Sequence, residues 1–166
     1  HETTSRALTW LGYLLSQDLE AREKIEIELD QLDMKRPPED WVDEMPFAMA
    51  CFNESMRLYP PAPFLSRQAI EEDAFDDIKV SKNCGVLINL WALHRHRKHW
   101  DRPDAFDPDR FMGERKKAIK RFHFLPFGVG HRVCIGQRFA LQEAAIMVAI
   151  LFRKIRLHWI EGEAHP

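Results

Sequence analysis

The chain has 166 residues, 45% hydrophobic and 30% charged, and its 24 Lys+Arg against 26 Asp+Glu leave a formal net charge of −2. That balance offers no global positive field for nucleic acid or an anionic membrane surface, and the length alone suits one domain with one core. Three cysteines cannot all pair and nothing else suggests a secreted disulfide framework, so a reducing, cytoplasmic setting is expected; no apolar window is long enough to cross a bilayer and no signal-peptide pattern opens the chain.

Apolar residues Ala7, Leu8, Trp10, Leu11, Leu14 and Leu15 recur at helical spacing and predict a buried helix over residues 3–15. Asp18 is placed to cap a second, charged and largely solvated helix running to about residue 32. Pro37-Pro38 interrupts the pattern. A third helix follows over residues 47–58, ended by Tyr59-Pro60-Pro61-Ala62-Pro63. Short strands are expected near 65–69, 78–80 and 86–90, with Asn83-Cys84-Gly85 as a hairpin turn. From His94 to His123 the chain is polar, aromatic and proline-bearing without a clean period, which predicts a long ordered loop. A last helix over 137–152 leads into a strand near 155–160, and Trp10, Phe47, Phe52 and Phe139 are assigned to the core.

The densest chemistry stands just ahead of that last helix, in Phe127-Gly128-Val129-Gly130-His131-Arg132-Val133-Cys134-Ile135-Gly136. Glycine takes positive φ and admits close neighbours at no steric cost, so Gly128, Gly130 and Gly136 should display Cys134 instead of burying it. The helix that opens beyond it presents N–H groups and a dipole that favour an anion, which suits a thiolate metal ligand. The order Phe-x-x-Gly-x-Arg-x-Cys-x-Gly fills every fixed position of the haem-ligand signature of the cytochromes P-450, and the chain resembles that family. Three more segments stand in the family's order ahead of it. His1-Glu2-Thr3-Thr4 is similar to the end of the oxygen-activating segment, Glu54-Ser55-Met56-Arg57 matches E-x-x-R, and Pro108-Asp109-Arg110-Phe111 matches P-x-R-F.

The resemblance implies a mainly α fold with minor β, represented here by its C-terminal, haem-ligating half. Residues 1–166 would be a partial domain that begins inside the oxygen-activating helix and lacks the N-terminal half and the last strands. It implies haem b as cofactor, with Cys134 as the iron ligand whose electron donation promotes O–O cleavage. Phe127, Gly128, Gly130 and Gly136 would frame the cofactor, Arg132 and Arg67 would pair with its propionates, and Ala62 would lie over its face. Glu2 and Thr3 become the acid and hydroxyl of a proton relay, supported by Thr4. Glu54, Arg57 and Arg110 become a buried ion network of structural purpose.

The implied activity is monooxygenation of a small organic substrate, with electrons from NAD(P)H through a flavoprotein or iron–sulfur redox partner. A membrane anchor outside this chain stays open. So do two other readings, a non-catalytic haem-binding or sensor protein and an apo fragment unable to hold haem, with the apolar face of the first helix left as an exposed patch. Each motif also has a plainer reading. Glu2 and Thr3 are ordinary first-turn residues, and Arg67 could be a solvated arginine. His94, His96 and His99 could converge on zinc, although His94 sits where the family packs a structural histidine. The basic run from Gly113 to Arg121 could bind phosphate or a redox partner, or be a plain solvated loop.

Overall fold

A computed structural model describes residues 2–160; His1, with which the acid–threonine segment begins, and residues 161–166 lie outside the described residues. Four helices carry the main core: α1 (Glu2–Gln17), α2 (Leu19–Gln31), α4 (Pro46–Leu58) and α7 (Gln137–Phe152), with α3 (Trp41–Glu44) as a single turn between α2 and α4. Ala7, Leu11 and Leu15 of α1 meet Ile25 and Leu29 of α2, Phe52 and Met56 of α4, and Ala144, Ala145, Val148 and Ala149 of α7. The small side chains of α7 let its backbone approach α1 and α4 closely, while the larger residues of those helices fill the space between them.

Local chemistry sets the helix starts. The Asp18 carboxylate accepts the Ala21 N–H at 2.9 Å, as expected of a cap. Helix α4 opens at Pro46, which has no N–H to satisfy, and the next two donors, Phe47 and Ala48, are taken by the Glu28 carboxylate at 2.8 Å each. A carboxylate from α2 thus caps α4 and ties the two helices together.

The β portion is small. Strand β1 (Phe64–Gln68) pairs antiparallel with β4 (Gly85–Asn89), and β2 (Asp73–Phe75) pairs with β3 (Ile78–Val80). The expected hairpin at Asn83-Cys84-Gly85 is corrected here. A turn forms there, with Cys84 N–H on Ser81 O at 3.0 Å and Asn83 at φ +65°, but the strands on either side belong to different sheets. The tight hairpin is two residues long, Asp76-Asp77, between β3 and a strand β2 that the sequence reading passed over. Asp76 takes φ +50°, which aspartate tolerates better than most residues.

After helix α5 (Leu90–Leu93), the stretch expected as loop holds two short helical pieces, a 3-10 turn at Pro108–Phe111 and α6 (Gly113–Ala118). The segment expected as a strand at 155–160 forms none among the described residues. It lies over α1 and α2, held by Arg22 on Leu157 O at 3.0 Å, Arg156 on Glu26 at 2.6 Å, and Trp159 edge-on to Tyr13. The face of α1 expected to be exposed is instead covered: Ala7, Leu11, Leu14 and Leu15 are all buried. Exposed apolar residues lie elsewhere, on β4 at Leu87 and on α7 at Phe139, which is 62% exposed and leaves the core to which its residue type assigned it. The observed architecture is mainly α with a minor antiparallel β portion.

Candidate cofactor cleft

Where the start of α1, the middle of α4, the Pro61–Leu65 turn, the cysteine loop and the first turns of α7 meet, they enclose a cleft of about 330 Å³. Its wall includes Thr3, Thr4 and Ala7 of α1, Phe52 and Met56 of α4, Ala62 and Leu65, then Phe127, Gly128, Arg132, Cys134 and Gly136, and Phe139 and Glu143 of α7. A larger concavity of about 560 Å³ lies on the other side of the Pro126–Gly128 segment. It contains neither Cys134 nor Arg132, so the chemistry lies in the smaller cleft.

Backbone conformation shapes the cysteine loop. Gly128 at φ +72° and Gly130 at φ +74° occupy the left-handed region that side chains avoid. The Cys134 N–H donates to Phe127 O at 2.9 Å and closes the loop, and the Cys134 carbonyl accepts from Gln137 N at 3.4 Å where α7 begins. Gly136 has a milder reason: a Cβ there would sit 3.9 Å from the Cys134 sulfur, an ordinary contact. The thiol is exposed, and beside it stand exposed Val133, Ile135 and Phe139. The other two cysteines differ. Cys51 is fully buried in α4, and burial pushes its thiol well above the usual range; Cys84 lies in the turn at 81–84, away from the cleft.

The remaining candidates divide. Thr4 is buried and Thr3 exposed, and both line the cleft. Glu2 points outward, paired with Arg6 at 2.5 Å. Arg132 is exposed at the cleft and makes no ion pair among the described residues. Arg67 is exposed on β1, its guanidinium on Ser66 O at 2.8 Å, outside the cleft wall. Gly130 shapes the loop without lining the cleft. Ala62 is exposed within it. Met56, Leu65 and Glu143 carry no site signal in the sequence, and Phe52 and Phe139 are core residues by type. Phe139 alone carried a signal, lying one turn beyond Gly136.

Behind the cleft, Glu54, Arg57 and Arg110 converge. Arg57 Nε and Nη2 grip the two Glu54 oxygens at 2.7 and 2.8 Å, and Arg110 Nε lies 3.4 Å from the same carboxylate. Glu54 and Arg57 are wholly excluded from solvent and Arg110 is 5% exposed. Arg57 also donates to His94 O at 2.8 Å, Pro103 O at 2.6 Å and Ala105 O at 3.1 Å, and lies 5.1 Å over the Trp100 ring. Burial pushes the Glu54 carboxyl up, while the Arg57 pairing, the Asp107 N–H and Arg110 pull it down. The zinc reading of His94, His96 and His99 divides: His94 turns inward and is buried, whereas His96 and His99 stay exposed. In the basic run, Arg115 grips Asp107 at 2.8 Å and Lys117 pairs with Glu114 at 2.5 Å.

A displayed soft thiol, a guanidinium on the same wall and apolar sides fit a flat apolar cofactor that carries carboxylates and a thiolate-binding metal. The family model described as Cytochrome P450 matches residues 1–166, and the chain belongs to that family. It is 37% identical over 152 residues to cytochrome P450 132 of Mycobacterium tuberculosis, covering 91% of this chain and 33% of that protein. It is 36% identical over 162 residues to cyclooctatin synthase of Streptomyces melanosporofaciens, covering 97% and 35%, and 35% identical over 161 residues to human cytochrome P450 4F12, covering 94% and 31%. The chain thus spans about a third of the length of these relatives. No helix among the described residues is long and apolar enough to cross a membrane.

Proposed function

We propose that this chain is the C-terminal, haem-ligating part of a cytochrome P450 monooxygenase acting on a small organic substrate, with electrons delivered from NAD(P)H by a flavoprotein or iron–sulfur partner. The observation that carries the reading is the shared cleft: Cys134 and Arg132 line it together with the paired hydroxyls of Thr3 and Thr4. Haem b held there supplies reductive activation of O2 and transfer of one oxygen atom to substrate. The chain's own residues do the rest. The Cys134 thiolate is the soft ligand, held forward by the positive-φ glycines. Arg132 anchors a carboxylate of the cofactor, and Arg67 joins it by swinging off the Ser66 carbonyl. Ala7, Phe52, Met56, Leu65 and Ala62 exclude water, Ala62 leaving room by its small size.

Thr3 holds a proton at Oγ inside the cleft, and Glu2, at the solvent edge, replenishes it after exchanging Arg6 for water. Thr4, being buried, fixes the turn that aims Thr3. The acid–threonine pair Glu2 and Thr3 favours an oxygenase over a silent haem sensor, which needs no proton delivery. Thr3→Ala in the full-length protein should leave haem and substrate binding nearly intact. Product formed per NAD(P)H should fall by roughly tenfold or more, with the electrons recovered as hydrogen peroxide. Unchanged coupling in a paired oxygen and product assay would remove Thr3 from the relay. The reading as a whole is tested by reconstituting the full-length protein with haem and recording the reduced carbon monoxide spectrum, where a thiolate-type Soret band is expected.

A further inference from the structure

Four histidines outside the cleft, His94, His96, His99 and His123, gather about residues 123–125, the lead-in to the cleft wall at Pro126–Gly128. His94 is fully buried, and its Nε2 accepts the Leu125 N–H at 2.9 Å. Only a neutral ring with its proton on Nδ1 can do this. The Met56 carbonyl favours that proton but lies outside good hydrogen-bond geometry. The ring also packs against Phe124, centroids 5.2 Å apart. One residue before Phe124, His123 stacks on His99 at 3.8 Å and 22°, and His99 leans on His96 at 4.8 Å.

We propose that this histidine seam is a pH-sensitive clasp: neutral imidazoles hold residues 123–125 in place, and protonation releases them together with the Phe127 wall of the cleft. The connection onward is short. Gly128 N–H bonds Leu125 O at 3.1 Å, and Phe127 O receives the Cys134 N–H, so a shift at Leu125 reaches the cysteine loop through two hydrogen bonds.

The charges around the seam oppose added protons. Arg57 of α4 and Arg95 face His94, with Glu54 behind Arg57 and Asp104 behind Arg95. Lys120 and His99 face His123, and the backbone N–H of Lys98 donates to His96 Nδ1 at 3.2 Å. Burial, then Arg57, depress His94 to about 4; burial, His99 and Lys120 also lower His123. The folded pKa of His94 thus lies below its unfolded value of 6.5, so the closed state is favoured above that value and loses ground as pH falls toward 4. Between pH 7 and pH 5 the open fraction should rise roughly ten- to twentyfold from His94 alone.

Hydrogen exchange at the Leu125 amide in the full-length protein, corrected for intrinsic rates, tests this, with the Ser55 amide of α4 reporting global unfolding. The expected result is a rise in Leu125 opening of at least about tenfold between pH 7 and 5, with the Leu125 opening constant well above that of Ser55 at both pH values, because the clasp opens without global unfolding. His94→Gln keeps a side-chain acceptor but does not titrate, and should remove most of the rise. Should that variant fail to fold, His99→Phe with His123→Phe keeps the stacking but removes the His123 titration, and should lessen the rise. A pH-flat Leu125 in the unsubstituted protein, an undiminished rise in the variants, or equal opening constants at Leu125 and Ser55 would each overturn the clasp.

Discussion

In the full-length protein, Cys134→Ser should abolish the thiolate-type Soret band expected of the reduced carbon monoxide complex, while Cys51→Ser and Cys84→Ser keep it. The expectation rests on placement. Of the three thiols only Cys134 lines the cleft, on a loop whose backbone at Gly128 and Gly130 leaves its side chain exposed. Cys51 lies in the helical core, where burial pushes its thiol far from ionising, so it cannot readily supply a thiolate. Cys84 is exposed but belongs to a surface turn beside β4. A serine hydroxyl is a hard, weakly acidic ligand and does not substitute for sulfur in electron donation. A thiolate-type spectrum in Cys134→Ser, or its loss in Cys84→Ser, would show that the cleft has been assigned to the wrong cysteine.

The second large effect is on stability. Arg57→Met should destabilise the protein by about 3–5 kcal/mol, because it leaves the Glu54 carboxylate buried without its bidentate partner. That is a substantial share of a typical net stability of roughly 5–15 kcal/mol. Arg57→Lys should rescue little of it. Every Arg57 nitrogen is engaged, Nε and Nη2 with Glu54 and both Nη groups with the carbonyls of His94, Pro103 and Ala105, and an ammonium cannot span that fan. Arg110→Met should cost less, since its contact with Glu54 is longer, 3.4 Å, and Glu54 keeps its bidentate Arg57 partner. Urea unfolding midpoints of the three variants check the order. A loss under about 1 kcal/mol for Arg57→Met would reduce the cluster to an ordinary ion pair.

Helices α1, α2, α4 and α7 were legible in the sequence because each presents apolar residues at a spacing that depends only on near neighbours. The Asp18 cap is a local device of the same kind. The display of Cys134 was legible for a related reason: positive φ at Gly128 and Gly130 is a property of single residues, and it sets where the next few point. Strand pairing was not. Which edge β4 meets is a choice between distant segments, and three-residue strands such as β2 carry too little pattern to be read. The stretch after His94 has no period because its order comes from one arginine, Arg57, collecting three of its carbonyls across the fold. The makeup of the cleft is likewise tertiary. Met56, Leu65 and Glu143 line it, and Glu2 and Arg67 point elsewhere, because the packing of α1, α4 and α7 decides which side of each helix or strand faces the thiol. Sequence by itself determined the four long helices and the loop that presents the cysteine; tertiary packing alone decided what surrounds that sulfur, since burial by remote segments is additive over the whole fold and is encoded at no single position.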